Sequence, residues 1–158
     1  MSGALRVSRS PAFIIGTIAL VAVGFVAVSL RRPQLDEHAP TPHGAHPEPD
    51  SLGNIRFTID ATADEAWQHF NFDRRAVVAP DDTLGWDLAF RRFHIKARDP
   101  ANAIERWYDY SWTSHILKPK PTSWTVRTTS GRHARMRILS YYCIGARPGC
   151  ITLEYVLE

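Results

Sequence analysis

Hydrophobic positions follow three different patterns along the chain. From Pro11 to Leu30 the run PAFIIGTIALVAVGFVAVSL contains no charged residue. A helix of that length rises about 30 Å, the thickness of a bilayer's hydrocarbon core. Residues 11–32 therefore read as one transmembrane helix, preceded by a cytoplasmic tail over residues 1–10. From Pro33 to Gly53 (PQLDEHAPTPHGAHPEPDSLG) apolar residues are sparse and prolines frequent. Such a stretch buries too little surface to offset its ordering entropy, so residues 33–53 read as an extended, Pro-rich acidic linker.

From Asn54 the pattern changes to period two, the signature of half-buried strands. Ile55, Phe57 and Ile59 alternate with Arg56, Thr58 and Asp60. Trp67 to Phe72 alternates less regularly, a short strand around Ala76 to Ala79 stops at Pro80, and Trp86 to Ile95 (WDLAFRRFHI) reads as one longer strand. Trp124, Val126 and Thr128 alternate up to a Ser130-Gly131 turn. Ala134, Met136, Ile138 and Tyr142 share one face of the return strand, with Arg135, Arg137 and Leu139 opposite; Ile151, Leu153, Tyr155 and Leu157 close the chain. Only Ala61 to Ala66 looks helical, for about one turn. Residues 54–158 are expected to form a small, mainly β, antiparallel domain.

Composition places the core. Trp67, Trp86, Trp107, Trp112 and Trp124 all follow residue 60, so packing belongs to the C-terminal two-thirds. A formal charge of +3, without a dense basic stripe, excludes nucleic acid as the expected partner. Arg6 and Arg9 precede the apolar run and Arg31 and Arg32 follow it, so the positive-inside count is nearly balanced. A secretory h-region is shorter and ends at a small-residue cleavage site, whereas this run ends in Ser29-Leu30-Arg31-Arg32. The expectation is an uncleaved anchor. Ala12, Gly16, Ala19, Val23 and Ala27 recur every three or four residues on it and would let a second helix approach closely.

Cys143 and Cys150 bracket a short loop between two strands, close enough for a disulfide across the hairpin. A disulfide implies an oxidising compartment. Together with the anchor it predicts a bacterial inner-membrane protein, N-terminus cytoplasmic and C-terminal domain periplasmic. His38, His43 and His46 in the linker are dense enough to raise metal binding, but their spacing defines no site.

The order of motifs in the head resembles the HmuY-like family, exported all-β bacterial proteins whose founding members bind haem. The matching stretches are FTIDATADEAWQHFNF, GWDLAFRRFHI, WYDYSWTSHILKPKPTSWTVRT, SGRHARMRILSYYCIG and ITLEYVLE, together most of residues 54–158. The resemblance implies the fold. Haem-binding members carry a long insertion after the Trp-Asp strand, often opening on Asn-Gly-Gly, that supplies axial ligands. Here that place reads KARDPANAIERW, and none of His69, His94, His115 or His133 falls at a matching position. No cofactor is therefore expected, with haem as the doubtful exception.

No P-loop, dinucleotide fingerprint, zinc-protease motif or nucleophile elbow is present, so the chain is not expected to be an enzyme. Asp87 and Asp109 read as structural carboxylates. Arg91, Arg92, Arg135 and Arg137 are placed on one sheet face. Trp107, Tyr108, Tyr110 and Trp112, with Arg135 and Arg137, are the candidate partner contacts, since interfaces favour such residues. The expected role is a non-catalytic accessory subunit of a larger membrane complex, photosynthetic or respiratory, with the bilayer and other membrane subunits as partners. The alternative is a membrane-tethered protein that binds haem or another tetrapyrrole.

Overall fold

A computed structural model describes residues 11–29, 34–83 and 85–158. The chain divides into two units after Gln34. The first contains helix α1, Pro11–Ser29. Its described side chains, residues 15–26, are all exposed, and a helix apolar on every side presents no polar face to water. Among the described residues no helix is long and apolar enough to cross a membrane. Crossing takes about 20 residues; the side chains of 11–14 and 27–29, and all of residues 30–33, lie outside the description. Of the small-residue stripe, Gly16, Ala19 and Val23 are exposed, while the side chains of Ala12 and Ala27 fall outside it. The 1–10 tail also lies outside the described residues.

The second unit is built of antiparallel strands: β1 Ile55–Asp60, β2 Gln68–Asn71, β3 Ala76–Val78, β4 Leu88–Arg91, β5 His94–Ala97, β6 Tyr108–Ser111, β7 Ile116–Pro119, β8 Ser123–Arg127, β9 His133–Cys143 and β10 Arg147–Leu157. One sheet has the order β1-β10-β9-β8, a second β3-β2-β4-β5, and β6 and β7 pair alone. The alternation read from the sequence sets the inner faces. Phe57 of β1 meets Phe70 of β2 with ring centroids 4.8 Å apart, and Tyr155 of β10 packs edge-on to Phe72 at 4.8 Å. Leu88, Phe90, Met136 and Leu153 are buried in the same cluster. Each such side chain contributes about 2 kcal/mol by leaving water. Tyr155 buries its ring and donates its hydroxyl to the Phe72 carbonyl, 3.3 Å away, so the contact between sheets leaves no lone hydroxyl.

On the outer side of the first sheet, Glu154 accepts from Arg56 (3.0 Å) and from Arg137. Partial burial pushes this carboxyl up, but the two guanidiniums outweigh burial and hold it below the usual 4.5. A depressed carboxyl contributes stability above its unfolded value and loses it as pH falls through its folded value. Glu154→Gln should therefore flatten part of the decline in urea midpoint as pH falls below the usual 4.5; an unchanged acid limb would contradict the ion pairs.

Three readings from sequence need correction. Trp86 to Ile95 is not one strand: β4 ends at Arg91 and β5 starts at His94, with Arg92 at φ 52°. No glycine or proline marks that turn. It is held from a distance, by Arg92 N–H donating to the Ala61 carbonyl (2.8 Å) and the Arg92 guanidinium to the Thr62 carbonyl (2.9 Å). The same bonds explain why 61–66 forms no helix: the Ala61 and Thr62 carbonyls, which a helix would turn to residues 65 and 66, are taken by Arg92. Gly149 is required beside Thr62, because a Cβ on it would lie 2.9 Å from the Thr62 Cα.

The third correction concerns the linker. Leu35 packs against the core, so the compact unit begins there and not at Asn54. Glu37 makes a parallel bridge to Tyr142 of β9. His38 N–H donates to the Tyr142 carbonyl (2.9 Å), the Ser140 hydroxyl to the Asp36 carbonyl, and Gly145 N–H to the Glu37 carboxylate (2.7 Å). The segment is extended, as its prolines require, but its backbone groups are spent on the sheet.

Candidate functional site

The same segment helps to build an open groove. Thr41 and Thr58 of β1 bond reciprocally, Thr41 N–H to the Thr58 carbonyl and Thr58 N–H to the Thr41 hydroxyl, both 2.9 Å. Pro42 to Ala45 then turns back, closed by Ala45 N–H on the Pro42 carbonyl (3.0 Å) with Gly44 at φ 77°. Positive φ at the third residue is the type II arrangement, which favours glycine. Beyond it Arg75 at the β2–β3 turn donates to the Pro47 carbonyl (3.3 Å) and pairs with Glu48 (3.1 Å). Residues 40–48 thus form a strap from one sheet to the other. Between strap, β1 and β3 lies an open groove of about 860 Å³, within the range of ligand pockets.

Its apolar surface comes from Phe57, Val77, Val78, Pro40 and Pro42, and its polar groups include His43, His46, Arg74 and Asp82. His46 is the chemically informative one. Its Nδ1 lies 2.9 Å from the Arg74 carbonyl. A carbonyl only accepts, so Nδ1 donates, which leaves Nε2 as the ring nitrogen that can serve as a ligand. A backbone carbonyl on one ring nitrogen is the usual way a metal-binding histidine is oriented. Arg74 forms an ion pair with Asp82 at the same groove. Sequence reading noticed these imidazoles but placed them in a free spacer. The signal available was Thr-Pro-His-Gly, which marks a turn rather than open chain.

Other candidate residues are scattered. Trp107 is core, 2% exposed, with its indole N–H on the Phe93 carbonyl (2.9 Å). It cannot be a partner contact, because its ring fills the space beside Tyr108 and Tyr141. Tyr108 is half-buried, while Tyr110 and Trp112 are exposed on the β6–β7 hairpin. Arg135 pairs with Glu158 (3.3 Å) and Arg137 with Glu154. The four arginines do not share a face: Arg91 lies 4.7 Å over the Trp67 ring on the second sheet, and Arg92 is turned toward Thr62. Cys143 and Cys150 form the expected disulfide, Cα atoms 4.9 Å apart.

None of His69, His94, His115 and His133 lines the groove. His69 is buried against Trp86 (4.8 Å); burial, and secondarily Lys96, hold its imidazole below the usual value. His94 stacks on Phe93. Asp87 is structural: it accepts from the Phe72 and Thr129 backbone N–H groups. Asp109 pairs with Lys120 (3.5 Å). Among the described residues no group of three or more potential metal ligands occurs.

No family model matches the chain, and no curated protein matches it in sequence. Solved structures do. A protein of Bacteroides vulgatus ATCC 8482 assigned as an HmuY-like haem-binding protein aligns with TM-score 0.54 and 15% identity, over 67% of this chain and 92% of that one. The apo HmuY analogue of Tannerella forsythia gives 0.52 and 11%, over 66% and 95%. A protein of Bacteroides fragilis NCTC 9343 assigned as a lipoprotein gives 0.51 and 15%, over 67% and 91%. The head has the HmuY-like fold; at such identities the likeness is one of fold alone.

Proposed function

We propose that the head is a non-catalytic binding module, held at a membrane by the apolar helix, and that its groove takes haem or a related tetrapyrrole. The observation that carries this is His46, an imidazole oriented by its Nδ1 contact with the Arg74 carbonyl, in a groove of sufficient volume. A tetrapyrrole needs an apolar slot and, for its iron, an axial nitrogen. Phe57, Val77 and Val78 supply the slot, His46 and His43 the nitrogens, and the Arg74 guanidinium a partner for a propionate. A bound haem would supply an iron that takes imidazole as ligand; the residues of the strap hold and orient it. The names of two solved relatives support the same ligand class. Lacking the family's insertion, this chain would use its own histidines.

The charge-free run from Pro11 to Leu30 supports membrane crossing, and the disulfide supports a periplasmic head. The test is a haemin titration of the full chain in mild detergent, followed at the Soret band. Saturable 1:1 binding is expected, weakened about tenfold or more in His46→Ala. A wild-type chain with no saturable Soret change would remove this reading.

A second reading, an accessory subunit of a photosynthetic or respiratory assembly, is favoured by a helix with apolar residues on every side and small residues at Gly16, Ala19 and Val23. Protein extracted from its native membrane separates the two. A large particle of fixed composition supports the subunit role, and a lone monomer excludes it.

A further inference from the structure

We infer that the tip of the β6–β7 hairpin is a lipid-contacting element that seats the head on the bilayer's headgroup region. The inference goes beyond ligand binding but rests on the membrane-anchored reading. Trp112 is 81% exposed and Tyr110 38%, their rings stacked edge-on with centroids 5.1 Å apart. The pair is held in place: the Tyr110 hydroxyl is 2.6 Å from His115 Nδ1, and His115, at φ 56°, closes the turn by donating N–H to the Ser111 carbonyl (2.8 Å). Tyr110, already held by that bond, loses little side-chain freedom on binding and gives the Trp112 ring a fixed edge to pack on.

The surroundings select the partner. The tip's hydroxyls are linked to one another, Ser114 to Ser111 at 2.8 Å and Ser111 to Thr113 at 3.2 Å. The tip itself, residues 111–116, contains no Asp or Glu; the hairpin's one acid, Asp109 in β6, is paired with Lys120 (3.5 Å), and Lys118 lies opposite it on β7. Amphipathic aromatic rings, hydroxyls and no acid at the tip, with the hairpin's one carboxylate neutralised by a lysine, match the membrane–water interface, where Trp and Tyr concentrate and anionic headgroups would repel an unpaired carboxylate. A protein pocket is the other occupant an exposed tryptophan could fill, and quenching by brominated lipid separates the two. The hairpin is anchored at its base, with Leu117 N–H on the Tyr142 hydroxyl (2.9 Å) and Lys120 N–H on the Trp107 carbonyl (2.9 Å). It can therefore transmit the contact to the sheets.

The chain's tryptophans all lie in the head and none in α1, so their fluorescence reports on the head alone. The full chain is reconstituted into vesicles of phosphatidylcholine and phosphatidylglycerol brominated high in the acyl chain. Flotation reads anchoring and tryptophan quenching reads the tip. Wild type should float and be quenched; Trp112→Ala should float and lose most of the quenching, while Trp124→Phe should keep it. Floating protein with no quenching, or with equal quenching in Trp112→Ala, overturns the proposal and leaves the anchor standing. Protein that does not float removes the anchor and the proposal with it.

Discussion

Replacing Asp87 with alanine should destabilise the head by about 3 kcal/mol, two buried donors losing their acceptor at roughly 1–3 kcal/mol each. The carboxylate receives Phe72 N–H at Oδ2 (2.8 Å) and Thr129 N–H at Oδ1 (2.7 Å). Phe72 follows β2 and Thr129 lies in the β8–β9 turn, so one side chain ties the second sheet to the first. Its own backbone is committed too, with N–H on the Phe70 carbonyl and its carbonyl taken by Arg98 N–H. Asparagine offers one acceptor and would turn its amide against the second donor, so Asp87→Asn should recover only part of the loss. Burial pushes the Asp87 carboxyl above the usual 3.8, outweighing the two N–H bonds. A raised carboxyl binds its proton more tightly folded than unfolded. The stabilisation that follows is full below the unfolded value and is lost as pH rises through the folded one. The gap between wild type and Asp87→Ala should therefore widen in acid. Urea unfolding at two pH values measures both effects; equal midpoints at neutral pH would mean that water replaces the carboxylate.

Loss of the Cys143–Cys150 bond should cost about 2.5 kcal/mol, the closure entropy of a short loop in the unfolded chain. The two residues are seven apart in sequence. Both side chains are buried, and Cys150 also pairs with Asp60 of β1. The paired variant Cys143→Ala, Cys150→Ala leaves no unsatisfied polar atom, so its urea midpoint should approach that of the reduced wild type. Reduction that leaves the midpoint unmoved would mean that the hairpin's ladder closes the loop unaided.

The parts of the fold legible in sequence are those where one face is buried and the other wet. β8 and the first half of β9 alternate because they cover one side of the core, and their faces follow from Val126 and Met136; β1 and β10 show the same pattern in sequence through Ile55 and Leu153, although Thr58 and Thr152 on their other face are buried too. Illegible parts depend on atoms far away in sequence. Arg92 adopts its turn conformation because the Ala61 and Thr62 carbonyls hold it, and no local residue announces that. The β6–β7 pair turns at His115, also without glycine or proline. The strap looked like a solvated spacer because its composition is that of one; its partners, the exposed backbone of β9 and the edge of β1, appear only when those strands form. The groove went unseen for the same reason, since half of its wall is the strap.

The strap also defines how tension would enter the head. A pull on the chain at Leu35 meets first the Asp36–Ser140 bond, then the Glu37 and His38 bonds to the β9 end, and only afterwards the Thr41–Thr58 pair on β1. These fasteners yield one after another, each at the cost of a hydrogen bond or two, and the sheets bear no load until the last is gone. When Thr41 lets go, the His43 turn lifts away from Phe57, while His46 stays on the Arg74 carbonyl of the second sheet. The head is thus built to give up its groove under strain before it gives up its fold.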